Sequence, residues 1–254
     1  MKYKNFVFDF YGTLADVLTD DDSEQTNEKL AVFLTSHGAA YTTEEYKASF
    51  HACHARQMKE REGSIYAPTG ETIRFPEMDV LLIYEELIAA KGVAGARELA
   101  VETARYYRSV STVKLKRYPG VMEFFGKLRA NGRGIYLLSN AQREFTVHDL
   151  ELLGLYECFD GILLSSDYGC RKPDPIFFGE LTRQFGVLPE NSLMIGNDRR
   201  SDIYGAQLFG MDSVLLVTGK ELAAPVEGVF STYTVESGTY QEFEELLPEL
   251  LGRV

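Results

Sequence analysis

The chain has 254 residues, enough for one large domain or for a core domain that carries a smaller one. Its composition, 45% hydrophobic and 25% charged, is that of an ordinary globular protein, and its formal net charge of −12 argues against nucleic acid and anionic membranes as partners. The three widely spaced cysteines favour a reducing cytoplasm over a disulfide framework, and no apolar run approaches the ~20 residues that a membrane span needs.

Five short, almost wholly apolar runs predict the strands of a parallel sheet that is covered on both faces. They occupy residues 5–10, 134–140, 161–166, 192–197 and 213–217. Helical patterns lie between the later runs, at residues 119–131, 142–153, 175–185 and 201–209, and an edge strand at 230–236 and a closing helix at 240–251 follow. This alternation predicts a doubly wound α/β fold with a Rossmann-like parallel sheet.

The interval of residues 16–116 has a different pattern. It contains no convincing strand run and four helical patterns, near residues 24–37, 43–61, 77–91 and 95–110, with a Gly- and Pro-containing loop at 63–76. We therefore predict a core formed by residues 1–15 and 117–254, and an all-helical cap formed by residues 16–116 that is inserted after the first strand.

Polar side chains follow four of the predicted strands. They are Asp9 with Gly12 and Thr13, then Ser139 and Asn140, then Lys172 and Asp174, and finally Asn197, Asp198 and Asp202. Ligands of open parallel sheets bind at the carboxyl ends of the strands, so we expect these residues to converge on one edge.

These motifs resemble the haloacid dehalogenase-like hydrolase superfamily. The resemblance covers the whole core, through DFYGT at 9–13, the apolar strand that ends at Ser139, KPDP at 172–175 and GNDRRSD at 196–202, and the insert resembles the helical caps of that superfamily. It implies a Mg²⁺-dependent phosphatase of the cytoplasm that acts on a small phosphorylated metabolite.

The chemistry expected of this site starts at Asp9. A carboxylate nucleophile divides phosphoryl transfer into two steps through an aspartyl-phosphate. Mg²⁺ suits a site of oxygen ligands, for which Asp9 and Asp198 are candidates, together with the Tyr11 carbonyl that the resemblance implies. Lys172 would keep the carboxylates ionised and bind the phosphoryl oxygens.

The remaining candidates have supporting roles. Ser139 and Asn140 would donate hydrogen bonds to the phosphoryl oxygens. Thr13 belongs to the same predicted phosphate-binding set and would also order the loop after Asp9. Asp202 would bind the metal through water or orient Lys172, although a plain helix cap formed with Ser201 is an alternative.

Tyr11 departs from the pattern of the superfamily. Its phosphatases usually carry a second Asp at this position, two residues after the nucleophile, which protonates the leaving group and later activates water. A phenol, with a pKa near ~10, is a poor general base at neutral pH. Tyr11 is therefore a candidate catalytic residue that would donate a proton only weakly, or simply pack.

Two alternative functions stay open. The DxYGT form also resembles the 2-haloacid dehalogenases, which form an ester on the Asp and use no metal. Residues 37–41 lack the Arg of those enzymes, Phe178 replaces a Tyr, and Asp198 adds a carboxylate whose repulsion of Asp9 needs a cation. A non-catalytic or regulatory protein of this fold is the second alternative, which the retained charged residues disfavour.

Overall fold

The computed structural model describes residues 2–219 and 226–252. Its strands are β1 (Asn5–Phe8), β2 (Ala15–Thr19), β3 (Ile65–Tyr66), β4 (Glu71–Thr72), β5 (Thr112–Arg117), β6 (Gly134–Ser139), β7 (Gly161–Leu164), β8 (Ser192–Gly196), β9 (Asp212–Leu216) and β10 (Tyr233–Val235). Its α-helices are α1 (Glu24–Ser36), α2 (Thr43–Arg61), α3 (Val80–Ala90), α4 (Ala96–Ser111), α5 (Val121–Ala130), α6 (Arg143–Leu152), α7 (Pro175–Phe185), α8 (Tyr204–Phe209), α9 (Tyr240–Glu245) and α10 (Leu247–Leu250).

Six strands form a parallel sheet in the order β10–β9–β8–β1–β6–β7. Alternate residues of β1 enter different hydrophobic clusters: Phe6 and Phe8 pack with Phe124 of α5, and Val7 packs with Phe177 of α7. Burial on both faces explains why the strands are nearly continuous apolar runs. The predicted α/β fold is confirmed.

The four helices of the insert, α1 to α4, follow the predicted pattern. Their buried residues form a cluster of their own that includes Leu30, Tyr84 and Ile88. The side chains of Ser23, Thr42 and Asp79 cap the starts of α1, α2 and α3, which satisfies N–H groups that have no partner inside the helix. The helices were predicted near residues 24–37, 43–61 and 77–91, and α3 begins at Val80 rather than at residue 77.

The expectation that residues 16–116 contain no strand was wrong. β2 pairs antiparallel with β5, and the two-residue strands β3 and β4 form a hairpin within the predicted loop. The residues of β5 are all half-buried or exposed, and the strand lacks the apolar run that marked the core strands. The β2–β5 ribbon joins the helical insert to the core, close to the predicted boundaries at 16 and 116, and the division into two domains stays a prediction.

A second connection between the insert and the core lies at residues 74–80. The N–H groups of Arg74 and Phe75 donate to Asp174 Oδ2 at 2.8 and 3.1 Å, and Arg171 N–H donates to the Phe75 carbonyl at 2.9 Å. The end of the predicted cap loop is therefore bonded to the loop that carries Lys172.

Two helices differ from their predicted form. The predicted helix at 201–209 begins with a π-helical turn over Arg199–Ile203, and α8 follows it. The predicted closing helix at 240–251 is divided at Leu246 into α9 and α10, where Pro248 stands in the first turn of α10 and has no N–H to continue the α9 hydrogen bonds. Among the described residues, none of the helices combines the length and hydropathy of a membrane span.

Candidate functional site

Asp9 lies directly after β1, the strand between β6 and β8. Its N–H donates to the carbonyl of Ile195 at 2.9 Å, which fixes the residue at the carboxyl end of the sheet. Asp9 Oδ1 accepts a hydrogen bond from Ser139 Oγ at 2.9 Å and one from Lys172 Nζ at 2.7 Å. Three predicted site residues from three strand ends therefore meet at one carboxylate oxygen.

Lys172 is buried at this junction, with only 2% of its surface exposed. Its ammonium donates to Asp9 Oδ1, to the Leu138 carbonyl at 2.7 Å and to Asp202 Oδ1 at 2.6 Å, which uses all three of its protons. Burial lowers the pKa of Lys172, but Asp202 and Asp9 outweigh it, so the net pKa is raised and the ammonium stays charged.

Asp202 is the second carboxylate that binds the Lys172 ammonium. While Oδ1 accepts from Lys172, Oδ2 accepts the N–H of Asp198 at 2.9 Å. Burial raises the pKa of the Asp202 carboxyl, and the Lys172 ammonium opposes that shift. A Cβ at position 196 would lie 2.2 Å from Asp202 Oδ2, which explains the glycine there. These contacts favour the predicted role of Asp202 in orienting the lysine, which stays a prediction.

Asn140 holds the main chain of Lys172. Its Oδ1 accepts the Lys172 N–H at 2.8 Å, and its Nδ2 donates to the Lys172 carbonyl at 3.0 Å. Both ends of the amide are engaged by the loop, which favours a role of Asn140 in holding Lys172, and its contact with phosphate stays a prediction. The sequence could not supply this pairing, which joins residues 32 positions apart.

Thr13 is fully buried, and its hydroxyl donates to Asn197 Oδ1 at 3.2 Å. The expected loop-ordering role of Thr13 fits this bond, whereas a phosphate contact by the same hydroxyl does not. Thr218 donates to the Gly12 carbonyl at 2.8 Å and Tyr240 to the Thr13 carbonyl at 3.2 Å. Sequence reasoning placed Asn197 at a strand end but gave it no role, and it did not identify Thr218 or Tyr240.

Asp198 begins the π-helical turn. Its Oδ1 accepts the Arg200 N–H at 2.9 Å and its Oδ2 accepts the Ser201 hydroxyl at 2.7 Å. The carboxylates of Asp9, Asp198 and Asp202 outnumber the single ammonium of Lys172 by two, a charge that a divalent cation would balance.

The predicted metal ligands do not all assemble. Over residues 2–219 and 226–252, no group of three or more His, Cys, Asp or Glu side chains is arranged to hold a metal ion. Both oxygens of Asp202 accept hydrogen bonds from the protein, and one of them is bound by the Lys172 ammonium, whose charge disfavours a metal ion beside it; a metal role for Asp202 stays a prediction. Asp9, Asp198 and the Tyr11 carbonyl remain as hard oxygen donors, and this set fits Mg²⁺, which commonly binds only one or two carboxylates and keeps several waters.

Tyr11 takes part in a different network. Its hydroxyl donates to Asp149 Oδ2 at 2.8 Å and lies 3.3 Å from Thr146 Oγ1, both on α6. Arg108 of α4 donates through Nε to the same Asp149 oxygen at 3.0 Å, and its guanidinium lies 5.2 Å from the centre of the Tyr11 ring. Burial raises the pKa of the Tyr11 phenol. The predicted catalytic role of this hydroxyl is therefore disfavoured, and the sequence gave no sign of Arg108 or Asp149.

Comparisons with known proteins identify relatives of this chain. Phosphoserine phosphatase of Thermus thermophilus is 32% identical over 138 residues, which cover 54% of this chain and 54% of that protein. Phosphoglycolate phosphatase of Salmonella typhimurium is 29% identical over 146 residues, 58% of this chain and 56% of that protein. The chain spans about half the length of the curated relatives it matches.

Solved structures share the fold over nearly the full length. The 2-haloacid dehalogenase of Pseudomonas syringae pv. Tomato DC3000 is 19% identical, with a TM-score of 0.62 and 99% of each chain covered. The HAD-hydrolase YfnB of Bacillus subtilis, solved with bound magnesium, is 22% identical, with a TM-score of 0.55 and coverage of 97% of this chain and 99% of that one. The family model for haloacid dehalogenase-like hydrolases matches residues 3–210, and the chain belongs to that family.

Proposed function

We propose that this protein is a Mg²⁺-dependent phosphatase that acts on a small phosphorylated metabolite through an aspartyl-phosphate on Asp9. One observation carries the proposal. Lys172 and Ser139 both bind Asp9 Oδ1, and within the described part of the chain no hydrogen bond reaches Asp9 Oδ2. A carboxylate held through one oxygen and presenting the other is arranged as a nucleophile.

The reaction would follow from this arrangement in two steps. Asp9 Oδ2 attacks phosphorus, the bond from phosphorus to the leaving oxygen breaks, and its electron pair departs with that oxygen. Water then attacks the phosphorus of the aspartyl-phosphate, and the electron pair of the second broken bond returns to Asp9. Lys172 and Ser139 keep Asp9 in position during both steps, and the ammonium offsets negative charge on the phosphoryl oxygens.

Asp9, Asp198 and the Tyr11 carbonyl would hold the magnesium ion. When bound, Mg²⁺ would neutralise the phosphoryl group and reduce its repulsion by the carboxylates. The excess of carboxylates over ammonium groups at the site supports this assignment.

The named relatives support a small phosphorylated substrate, because they are phosphatases of phosphoserine and phosphoglycolate. Residues 16–116 would act as the cap that closes over Asp9, excludes water and selects the substrate. The remaining parts of the proposal are a cytoplasmic location and no nucleic-acid or membrane partner, which the net charge of −12 supports.

A second candidate is 2-haloacid dehalogenation, which the Tyr of the DxYGT motif favours. Asp9 would then displace halide from carbon and form an ester without a metal. Asp198 opposes this candidate, because a further carboxylate near the nucleophile is costly unless a cation lies between them. A regulatory protein without catalysis is disfavoured by the bonded set of Asp9, Lys172 and Asp202.

Phosphate release from 4-nitrophenyl phosphate, measured with Mg²⁺ and with EDTA, tests the proposal. We expect metal-dependent turnover by the wild type and its loss in Asp9→Asn. Asp167→Asn is the matched control, since Asp167 pairs with Arg143 at the surface and should keep wild-type turnover. Halide release from 2-chloropropionate in EDTA, without phosphate release, would establish the dehalogenase instead.

A further inference from the structure

Tyr11 stands two residues after Asp9, where phosphatases of this superfamily usually carry the Asp that protonates the leaving group. We infer that this enzyme acts on phosphoryl donors whose leaving oxygen departs without a proton, chiefly acyl phosphates and phosphates of acidic hydroxyl groups, and only slowly on phosphates of ordinary alcohols. This inference rests on the proposed function and narrows its substrate class.

The first support is the direction of the Tyr11 hydroxyl. Its proton is donated to Asp149 Oδ2 at 2.8 Å, and that oxygen also accepts from Arg108 Nε at 3.0 Å. Asp149 and Arg108 are both buried, at 1% and 7% exposed, so turning the phenol toward Asp9 would remove a hydrogen bond from a carboxylate that water does not reach. The network keeps the Tyr11 hydroxyl directed toward Asp149 of α6.

The second support comes from the groups around Asp9, each of which is already engaged. The three protons of Lys172 are donated to Asp9, Leu138 and Asp202. Ser139 donates to Asp9, and both carboxylate oxygens of Asp202 accept hydrogen bonds. These groups hold the nucleophile; they do not stand ready to protonate a leaving oxygen.

The third support is the hydrogen bonding of Asp198. Asp198, like Asp202, accepts hydrogen bonds on both oxygens, one from Arg200 N–H and one from the Ser201 hydroxyl. The site therefore has groups that position Asp9 for attack on phosphorus, but few groups that are placed to protonate the leaving oxygen.

The expected substrate class follows from how stable the leaving group is without a proton. When Asp9 attacks an acyl phosphate, the bond from phosphorus to the bridging oxygen breaks and its electron pair leaves on a carboxylate, which is stable without a proton. An alcohol must leave as an alkoxide unless an acid protonates it in the transition state, and general acid catalysis of this kind contributes roughly 10²–10⁴-fold in rate. Water then cleaves the aspartyl-phosphate and releases inorganic phosphate and a proton.

The test compares kcat/KM for three donors in the presence of Mg²⁺: acetyl phosphate, 4-nitrophenyl phosphate and ethyl phosphate. We expect the first two to exceed ethyl phosphate by about 10²-fold or more, the size of a missing general acid. Ethyl phosphate turned over within about tenfold of 4-nitrophenyl phosphate would overturn the inference. Phosphate release from none of the three would contradict the proposed function itself, so the two failures are distinguishable.

A pair of variants tests whether position 11 is the cause. Tyr11→Asp and Tyr11→Asn have nearly the same shape and both lose the bond to Asp149, but only the first introduces an acid. The ratio of kcat/KM for ethyl phosphate to that for 4-nitrophenyl phosphate should rise by at least about tenfold in Tyr11→Asp relative to Tyr11→Asn. Equal ratios in the two variants would contradict the assignment to position 11, and since both variants carry the same structural damage, a folding defect alone cannot produce the difference.

Discussion

The hydroxyl of Tyr11 donates to Asp149 Oδ2 at 2.8 Å, and this bond ties the loop of the nucleophile to α6. Arg108, which reaches the same oxygen, belongs to α4 in the helical insert. Three parts of the chain therefore meet at the buried carboxylate of Asp149, and Tyr11 lies two residues after Asp9 in the sequence. A position expected to serve catalysis connects the insert to the core instead.

The Arg108–Asp149 pair should be costly to break from one side. Arg108→Met leaves the Asp149 carboxylate buried without its cation, so we expect the free energy of unfolding to fall by about 3–5 kcal/mol in urea denaturation. The double variant Arg108→Met with Asp149→Leu should recover most of this loss. Arg97→Met, which breaks an exposed pair with Glu85, should cost less than about 1 kcal/mol. Equal losses in the two single Arg variants would rule out a special role for the buried pair.

Asn140 should affect catalysis through Lys172. In Asn140→Ala the loop loses both hydrogen bonds that fix the Lys172 main chain, and displacement of the ammonium by a fraction of an ångström should lower kcat/KM for 4-nitrophenyl phosphate by about 10- to 100-fold. Asn131→Ala, which removes an amide that donates to the Lys127 carbonyl, should leave kcat/KM within about twofold. Wild-type kcat/KM in Asn140→Ala would show that Asp9 and Asp202 position the lysine by themselves.

Gly12 is constrained by both its conformation and its surroundings. Its φ is +82°, and a Cβ would lie 2.4 Å from Asn197 Nδ2, the amide that also binds Thr13. Gly63 has a similar φ of +71° but nothing within 4 Å of the added carbon, so Gly63→Ala should cost only the backbone strain of about 1–2 kcal/mol. Gly12→Ala should cost more than Gly63→Ala in urea denaturation and should also lower turnover. Equal costs would mean that Asn197 moves aside freely.

Magnesium binding can be measured apart from activity. A ligand that binds only the folded protein stabilises it by about 2.7 kcal/mol at 100 times its Kd, so the wild type should show a rise in Tm on addition of Mg²⁺. Asp198→Ala should lose this increment, whereas Asp167→Ala should keep it. An unchanged increment in Asp198→Ala would remove Asp198 from the ligand set.

The sequence predicted what depends on local pattern. Apolar runs ending in Asp9, Ser139 and Gly196 specified the strands, and the rule that ligands bind at carboxyl ends of parallel strands brought Asp9, Ser139 and Lys172 together correctly. The same reasoning failed where a side chain forms a hydrogen bond with a residue far away in the sequence. Asp149 lies 138 positions from Tyr11, and no periodicity indicates that the phenol turns toward it. The β2–β5 ribbon was missed for a related reason, since its pairing is non-local and neither strand is an unbroken buried run.

The most direct measurement of the central claim is the identification of the phosphorylated residue. Enzyme mixed with Mg²⁺ and acetyl phosphate is quenched in acid during turnover, digested and analysed by mass spectrometry. We predict a phosphoryl adduct on Asp9 in the wild type, and because the phenol of Tyr11 is a poor base for the attacking water, the adduct should accumulate before its slow hydrolysis. An adduct on another residue, or phosphate release by Asp9→Asn at the wild-type rate, would contradict the account.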